Sequence, residues 1–156
     1  MKISILAIGK LKEQYWRAAC DEYLKRCRPY ARLSIQELPD VDPGKLSTTA
    51  ALLDQEAQAI FAAIPERAQI IVLDIEGTEY SSENLSAWID DQALQGNSDF
   101  VFVIGGSYGL APQVIKRAKL RLSFGPITLP HNLARVVLLE QIYRAFKISR
   151  GEPYHK

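Results

Sequence analysis

A chain of 156 residues suffices for one domain with a real core and is too short for two comfortable ones. With 47% hydrophobic and 24% charged residues it has an ordinary globular composition. No apolar run approaches the roughly 20 residues that cross a bilayer. The opening Met1–Leu6 lacks a signal-peptide pattern, so a cytoplasmic protein without membrane contact is expected. The formal net charge of +1 hides a division. Residues 1–100 carry 10 Lys+Arg against 16 Asp+Glu, and residues 101–156 carry 9 against 2. A last third this basic suits a polyanion such as RNA, or else balances acidic helices elsewhere in the fold.

Ile3–Ile8 is a short apolar run ending at Gly9 and reads as a strand. Leu11, Tyr15, Trp16, Ala19, Cys20, Tyr23, Leu24 and Cys27 recur at three- and four-residue steps, an amphipathic helix closed by Pro29. On such a helix Cys20 and Cys27 stand about 10 Å apart along the axis, too far for a disulfide, and read as small buried hydrophobes. No ligand-spaced Cys or His accompanies them, and no metal is expected. Leu33–Leu38 alternates as a second strand, and 39–45, with two prolines, is a polar loop. A helix is expected from about Ser47 to Ile64. Ile70–Ile75 is a strand covered on both faces, followed by a helix from Ser81 or Ser82 to Gly96. Phe100–Ile104 is another continuous apolar strand. A short helix from Pro112 leads into 120–129, and a long helix covers Leu133–Ser149.

Strands alternating with helices predict an α/β fold: a mostly parallel sheet with helices on both faces, in one domain over 1–156. Ligands in such folds bind beyond the carboxyl ends of the strands. Three of those ends carry glycine: Glu76-Gly77, Gly105-Gly106-Ser107-Tyr108-Gly109, and the run Phe124–His131. Glycine lets backbone N–H and C=O groups approach a ligand closely, although a single glycine after a strand is usually just a turn. The spacing matches neither a dinucleotide fingerprint nor a phosphate loop. In the final helix the run Val136–Leu139 covers every side, which predicts burial all round and packing on a second subunit. Glu140 and Arg144 stand four residues apart and can pair. Tyr154 and His155, flanked by cations, could hold a nucleotide by stacking and charge.

Four blocks are specific: Ile104–Leu110, Thr128–His131, Glu140–Ile148 and Pro153–Lys156. With Ile8–Lys12 and Leu73–Gly77, and in similar length and order, they resemble the RlmH family of the SPOUT class along the whole chain. The resemblance implies a C-terminal trefoil knot, a rare exception to unknotted folds. It also implies a homodimer that binds S-adenosylmethionine, bent, in the knot loops. By position the contacts are Leu73, Gly105, Phe124, Gly125, Pro126, Ile127, Thr128 and Leu129. The implied substrate is a pseudouridine of 23S rRNA in the large subunit or assembled ribosome, methylated at ring nitrogen N3. The expected catalytic group is Arg135, Glu140, Arg144, Tyr154 and His155 around the target base, with the tail reaching a partner's pocket. His155 has a suitable ordinary pKa near 6.5; His131 is expected to orient backbone. For Glu140–Arg144 and His155 the plainer alternative is a helix-stabilising pair and a solvated end. Two other readings stay open: a nucleotide-binding enzyme on a doubly wound sheet, and a non-catalytic ribosome-binding module.

Overall fold

The computed structural model describes residues 1–45 and 48–154. Five parallel strands form one sheet: β1 (Lys2–Ile8), β2 (Arg32–Leu38), β3 (Gln69–Glu79), β4 (Asp99–Ile104) and β5 (Leu120–Ser123). Their order is β2-β1-β4-β3-β5. Between them run α1 (Gln14–Cys27), α2 (Thr49–Ala63), α3 (Ser82–Leu94) and α4 (Pro112–Arg117), and α5 (His131–Ser149) follows the last strand. The expected α/β class is what the chain adopts.

Side-chain alternation divides the core into two layers. Ile3, Ile5, Ile71, Phe100 and Phe102 point to the face covered by α1, α3 and α5, through Cys20, Ile89 and Leu138 among others. Leu6, Ile8, Val72, Val101 and Val103 point to the opposite face, against Ala57 and Ile60 of α2 and Val114 of α4. Because β1 and β4 are buried on both faces, they read as continuous apolar runs. Both cysteines are free and buried, and burial pushes each thiol up to about 11.

Local signals set the helix starts. The Thr48 side chain accepts from Ala51 N–H at 3.2 Å, and Ser81 accepts from Asn84 N–H at 3.1 Å. The expected α2 start at Ser47 lies outside the described residues. α5 begins directly after Pro130 and packs between α1 and α3. Its return across the N-terminal strands is consistent with the trefoil that the family resemblance implies. Among the described residues no helix is long and apolar enough to cross a membrane.

Three elements depart from the pattern expected of the sequence. Residues 120–123, to which that pattern assigns no element, form β5, which is too short to display a period. β3 does not end at Ile75: its pairing with β5 shifts register between Leu73 and Thr78, and the strand resumes to Glu79. The intervening bulge requires Gly77, where a Cβ would fall 2.5 Å from the Arg121 carbonyl oxygen. α5 differs from the expected all-round burial. Leu138, Leu139 and Ile142 are fully covered, whereas Val136, Val137, Glu140 and Arg144 on its outer side are half-buried.

Candidate functional site

The three glycine-marked ends converge on one cleft of about 470 Å³, within the range of small-ligand sites. The β3 bulge contributes Leu73, Asp74 and Ile75, and the loop after β4 contributes Gly105, Gly106, Ser107 and Gly109. The segment after β5 supplies Phe124, Gly125, Ile127, Thr128 and Leu129, and α5 closes the floor with His131 and Ala134. Seven of the eight expected cofactor residues therefore line the same space. Pro126 is exposed and does not line it; it forms the centre of a tight turn in which Ile127 N–H donates to Gly125 C=O at 2.8 Å.

Each wall is braced from behind. Folding back of the β4 loop brings Gly109 N–H to the Gly106 carbonyl at 3.1 Å. A Cβ on Gly105 would sit 2.4 Å from the Gly109 oxygen, so no other residue fits there without moving the loop. Asp74 holds the β3 bulge by accepting from Arg121 Nε at 2.8 Å and from Glu76 N–H at 3.1 Å. The buried Ser123 hydroxyl accepts from Gly125 N–H at 3.1 Å and lies 3.2 Å from the Ile75 carbonyl, tying two walls together. Sequence reasoning missed Ser123, although a lone serine closing an apolar strand before Phe-Gly-Pro is the available signal.

Arg135 is placed inside the fold. Its side chain is 0% exposed and donates to Glu37 Oε1 at 2.9 Å and to the carbonyls of Ile8 at 3.2 Å and Gly9 at 2.7 Å. His131 Nδ1 lies 3.1 Å from the same guanidinium. Because arginine only donates, this nitrogen accepts and the ring proton sits on Nε2. Burial first, and then the Arg135 charge, hold the His131 pKa below its ordinary value, so the ring stays neutral near pH 7. Within this chain Arg135 thus pins the start of α5, and the cleft floor with it, to the end of β1.

Glu140, Arg144 and Tyr154 are brought together elsewhere, on the outer side of α5. Glu140 Oε1 accepts from Arg144 Nε at 2.9 Å and Nη2 at 2.7 Å, and the Tyr154 hydroxyl lies 3.3 Å away. Arg144 packs over the Tyr154 ring at 4.8 Å, and Tyr143 meets that ring edge-on at 4.9 Å. The bond to Glu140 raises the Arg144 pKa, fixing its charge, while burial chiefly raises that of Tyr154. Further along, Glu152 accepts from Tyr30 Oη at 2.6 Å and from Lys147, anchoring the tail to the turn after α1 and to α5. His155 lies outside the described residues. Along α5, Glu140 and Arg144 stand 6 and 10 residues beyond Ala134 of the cleft floor, about 9 and 15 Å of helix axis.

Among known proteins, the family described as "Predicted SPOUT methyltransferase" matches residues 1–155. A "Ribosomal RNA large subunit methyltransferase H" from Carboxydothermus hydrogenoformans is 48% identical over 159 residues, covering 100% of both chains. The chain belongs to the RlmH family of SPOUT methyltransferases. A solved structure of a "probable methylase family protein" from Haemophilus influenzae Rd KW20 aligns with a TM-score of 0.54 at 14% identity. It covers 99% of this chain and 70% of that one, and at such low identity it speaks for the fold alone. For an RlmH-family chain, the glycine-walled cleft and the α5 tail cluster are the two concentrations of candidate function.

Proposed function

We propose that this chain transfers a methyl group from S-adenosylmethionine to N3 of a pseudouridine in large-subunit rRNA, on the assembled ribosome, as a cytoplasmic homodimer. The observation that carries the reading is the full-length identity of 48% to a large-subunit rRNA methyltransferase.

The cleft fits the cofactor chemically. Among its lining residues are apolar side chains and glycine backbone, with Asp74 and His131 as the titratable groups and no Lys or Arg. A site built for a nucleotide phosphate needs cations or a phosphate-cradling loop, so this lining disfavours the dinucleotide alternative. It suits an uncharged adenosine carrying a cationic sulfonium. Leu73, Gly105, Phe124, Gly125, Ile127, Thr128 and Leu129 would hold it. When bound, the cofactor supplies a methyl group already activated by positive sulfur.

The protein's own work is then positioning and charge. Tyr154, held by Glu140 and Tyr143, offers a ring against which a base can lie. Arg144 carries a fixed positive charge that stabilises the anionic ring once the N3 proton has passed to solvent water, and Glu140 fixes its orientation. Arg135 belongs with the positioning groups, since its side chain is fully buried and both terminal nitrogens are engaged, Nη1 by Glu37 and Nη2 by the end of β1. The separation between the tail cluster and the cleft of the same chain supports action in trans. The tail of one subunit serves the cleft of the other across the half-buried outer side of α5. His155 would join this group from the tail.

The test is transfer of labelled methyl from S-adenosylmethionine to 70S ribosomes, free 50S subunits and naked 23S rRNA, with the modified nucleoside identified by mass spectrometry. Label at N3 of pseudouridine, strongest on 70S, is expected. No label on any substrate, with cofactor binding intact, would replace the reading by a non-catalytic ribosome-binding module.

A further inference from the structure

Glu56 is a carboxylate that neither the cleft lining nor the tail cluster uses. It projects from α2 and is 3% exposed. Its Oε1 accepts one long bond, from Val41 N–H at 3.4 Å. Among the described residues no cation pairs with it, and Asp40 on the adjoining loop adds a like charge. An isolated buried carboxylate is costly, and a chain without use for it could place an apolar side chain there.

Its position relative to the cleft is specific. Gly106 is part of the wall, and its absent side chain would point between Ile8 and Glu56: a Cβ there would lie 3.1 Å from Ile8 Cγ2, 3.4 Å from Glu56 Oε1 and 3.6 Å from Oε2. The carboxylate therefore stands directly behind the wall, separated from the ligand space by the backbone of a residue with no side chain. The other acid at the cleft, Asp74, is bonded to Arg121 at 2.8 Å, which compensates its charge. His131 is neutral. Glu56 is thus the acid at this wall with no cation beside it among the described residues, and burial raises its pKa, so its ionised form gains most from a cation brought into the cleft.

We propose that Glu56 is a positioning residue whose charge makes the cleft prefer a cationic adenosyl ligand to its neutral counterpart. The inference rests on the cofactor reading above. Methyl transfer turns a sulfonium into an uncharged thioether, so the same carboxylate that favours the donor ceases to hold the product. A cation in the cleft gives Glu56 an opposite charge and favours its ionised form. At an effective dielectric constant of about 20, a pair of opposite charges on the order of 10 Å apart contributes roughly tenfold in affinity, which sets the scale of the effect sought.

Calorimetry on the full chain tests this with three ligands: S-adenosylmethionine and sinefungin, both cationic at this position, and neutral S-adenosylhomocysteine. Glu56→Gln keeps the volume and the acceptor for Val41 N–H but removes the charge. The expected result is about tenfold weaker binding of both cations with the neutral ligand unchanged. A parallel loss for all three ligands, or no loss, would overturn the proposal, because a purely structural clamp does not distinguish them. On the wild-type chain, where no variant has to fold, the cation-to-neutral affinity ratio should hold within about twofold between roughly 0.05 and 0.5 M salt, since a buried charge is little screened. A ratio that collapses with salt would assign the preference to surface charge instead. A wild-type chain that binds none of the three would overturn the cofactor reading, and this inference with it.

Discussion

The Tyr154 hydroxyl lies 3.3 Å from Glu140 Oε1, while the Arg144 bound to that same oxygen packs over the Tyr154 ring. Three side chains from two segments thus form one unit on the outside of α5, and removing the tail dismantles it without touching the cleft. Deletion of residues 154–156 should lower methyl transfer at least about 100-fold, the scale of losing positioned acid–base and charge-stabilising groups. Cofactor affinity should stay within about twofold. Single-turnover kinetics and calorimetry separate the two effects, and full activity in the truncated chain would refute the tail's role.

Arg135 should behave as a buried structural cation. Arg135→Ala strips Glu37 of its ion pair and leaves the Ile8 and Gly9 carbonyls without this donor. A destabilisation of about 3–5 kcal/mol in urea unfolding is expected, the usual result of breaking a buried pair from one side. A variant as stable as wild type but inactive would return Arg135 to the base-contacting group.

Gly105→Ala should damage the cleft more than the fold. The added methyl meets the Gly109 oxygen at 2.4 Å and must displace a wall. Cofactor affinity should fall by about tenfold or more, while circular dichroism and the unfolding midpoint change little, because Gly105 itself belongs to neither core layer.

His131 should give stability a pH dependence. Its folded pKa is held down by burial and by Arg135, so between the folded and unfolded values the unfolded chain binds more protons. Its contribution is complete above the ordinary histidine value of about 6.5 and is lost as pH falls towards the depressed folded value. The urea midpoint should drop over that window, and His131→Gln should flatten the drop. An unchanged slope in the variant would remove His131 as its source.

The strands were legible wherever both faces are buried, because an unbroken apolar run as short as Phe100–Ile104 is what double-sided coverage of a strand demands. The cleft was legible through its three glycine-marked ends, since chain topology places strand carboxyl ends together. What remained hidden depends on contacts across the sequence. The register shift that carries β3 past Asp74 is decided by β5, and β5 is four residues long. The inward orientation of Arg135 had a readable signal: it stands three, four and seven residues before the fully covered Leu138, Leu139 and Ile142. Its partner Glu37 is 98 residues away and had none. Glu56 was likewise unreadable, being one of two acids on α2, with Asp54, until the β4 loop is seen against it.

The Arg135 guanidinium joins groups 98 to 127 residues apart in the chain. During synthesis the end of β1 and Glu37 emerge first and must wait, their carbonyls and carboxylate lacking this cation, until α5 has been made. Loop closure over such separations is slow, and the nascent chain can assemble its sheet well before it can seat its last helix. The cleft floor formed by His131 and Ala134 arrives with that helix. Competence to bind a ligand is therefore a late event in folding, reached only after α5 has been made and seated against β1.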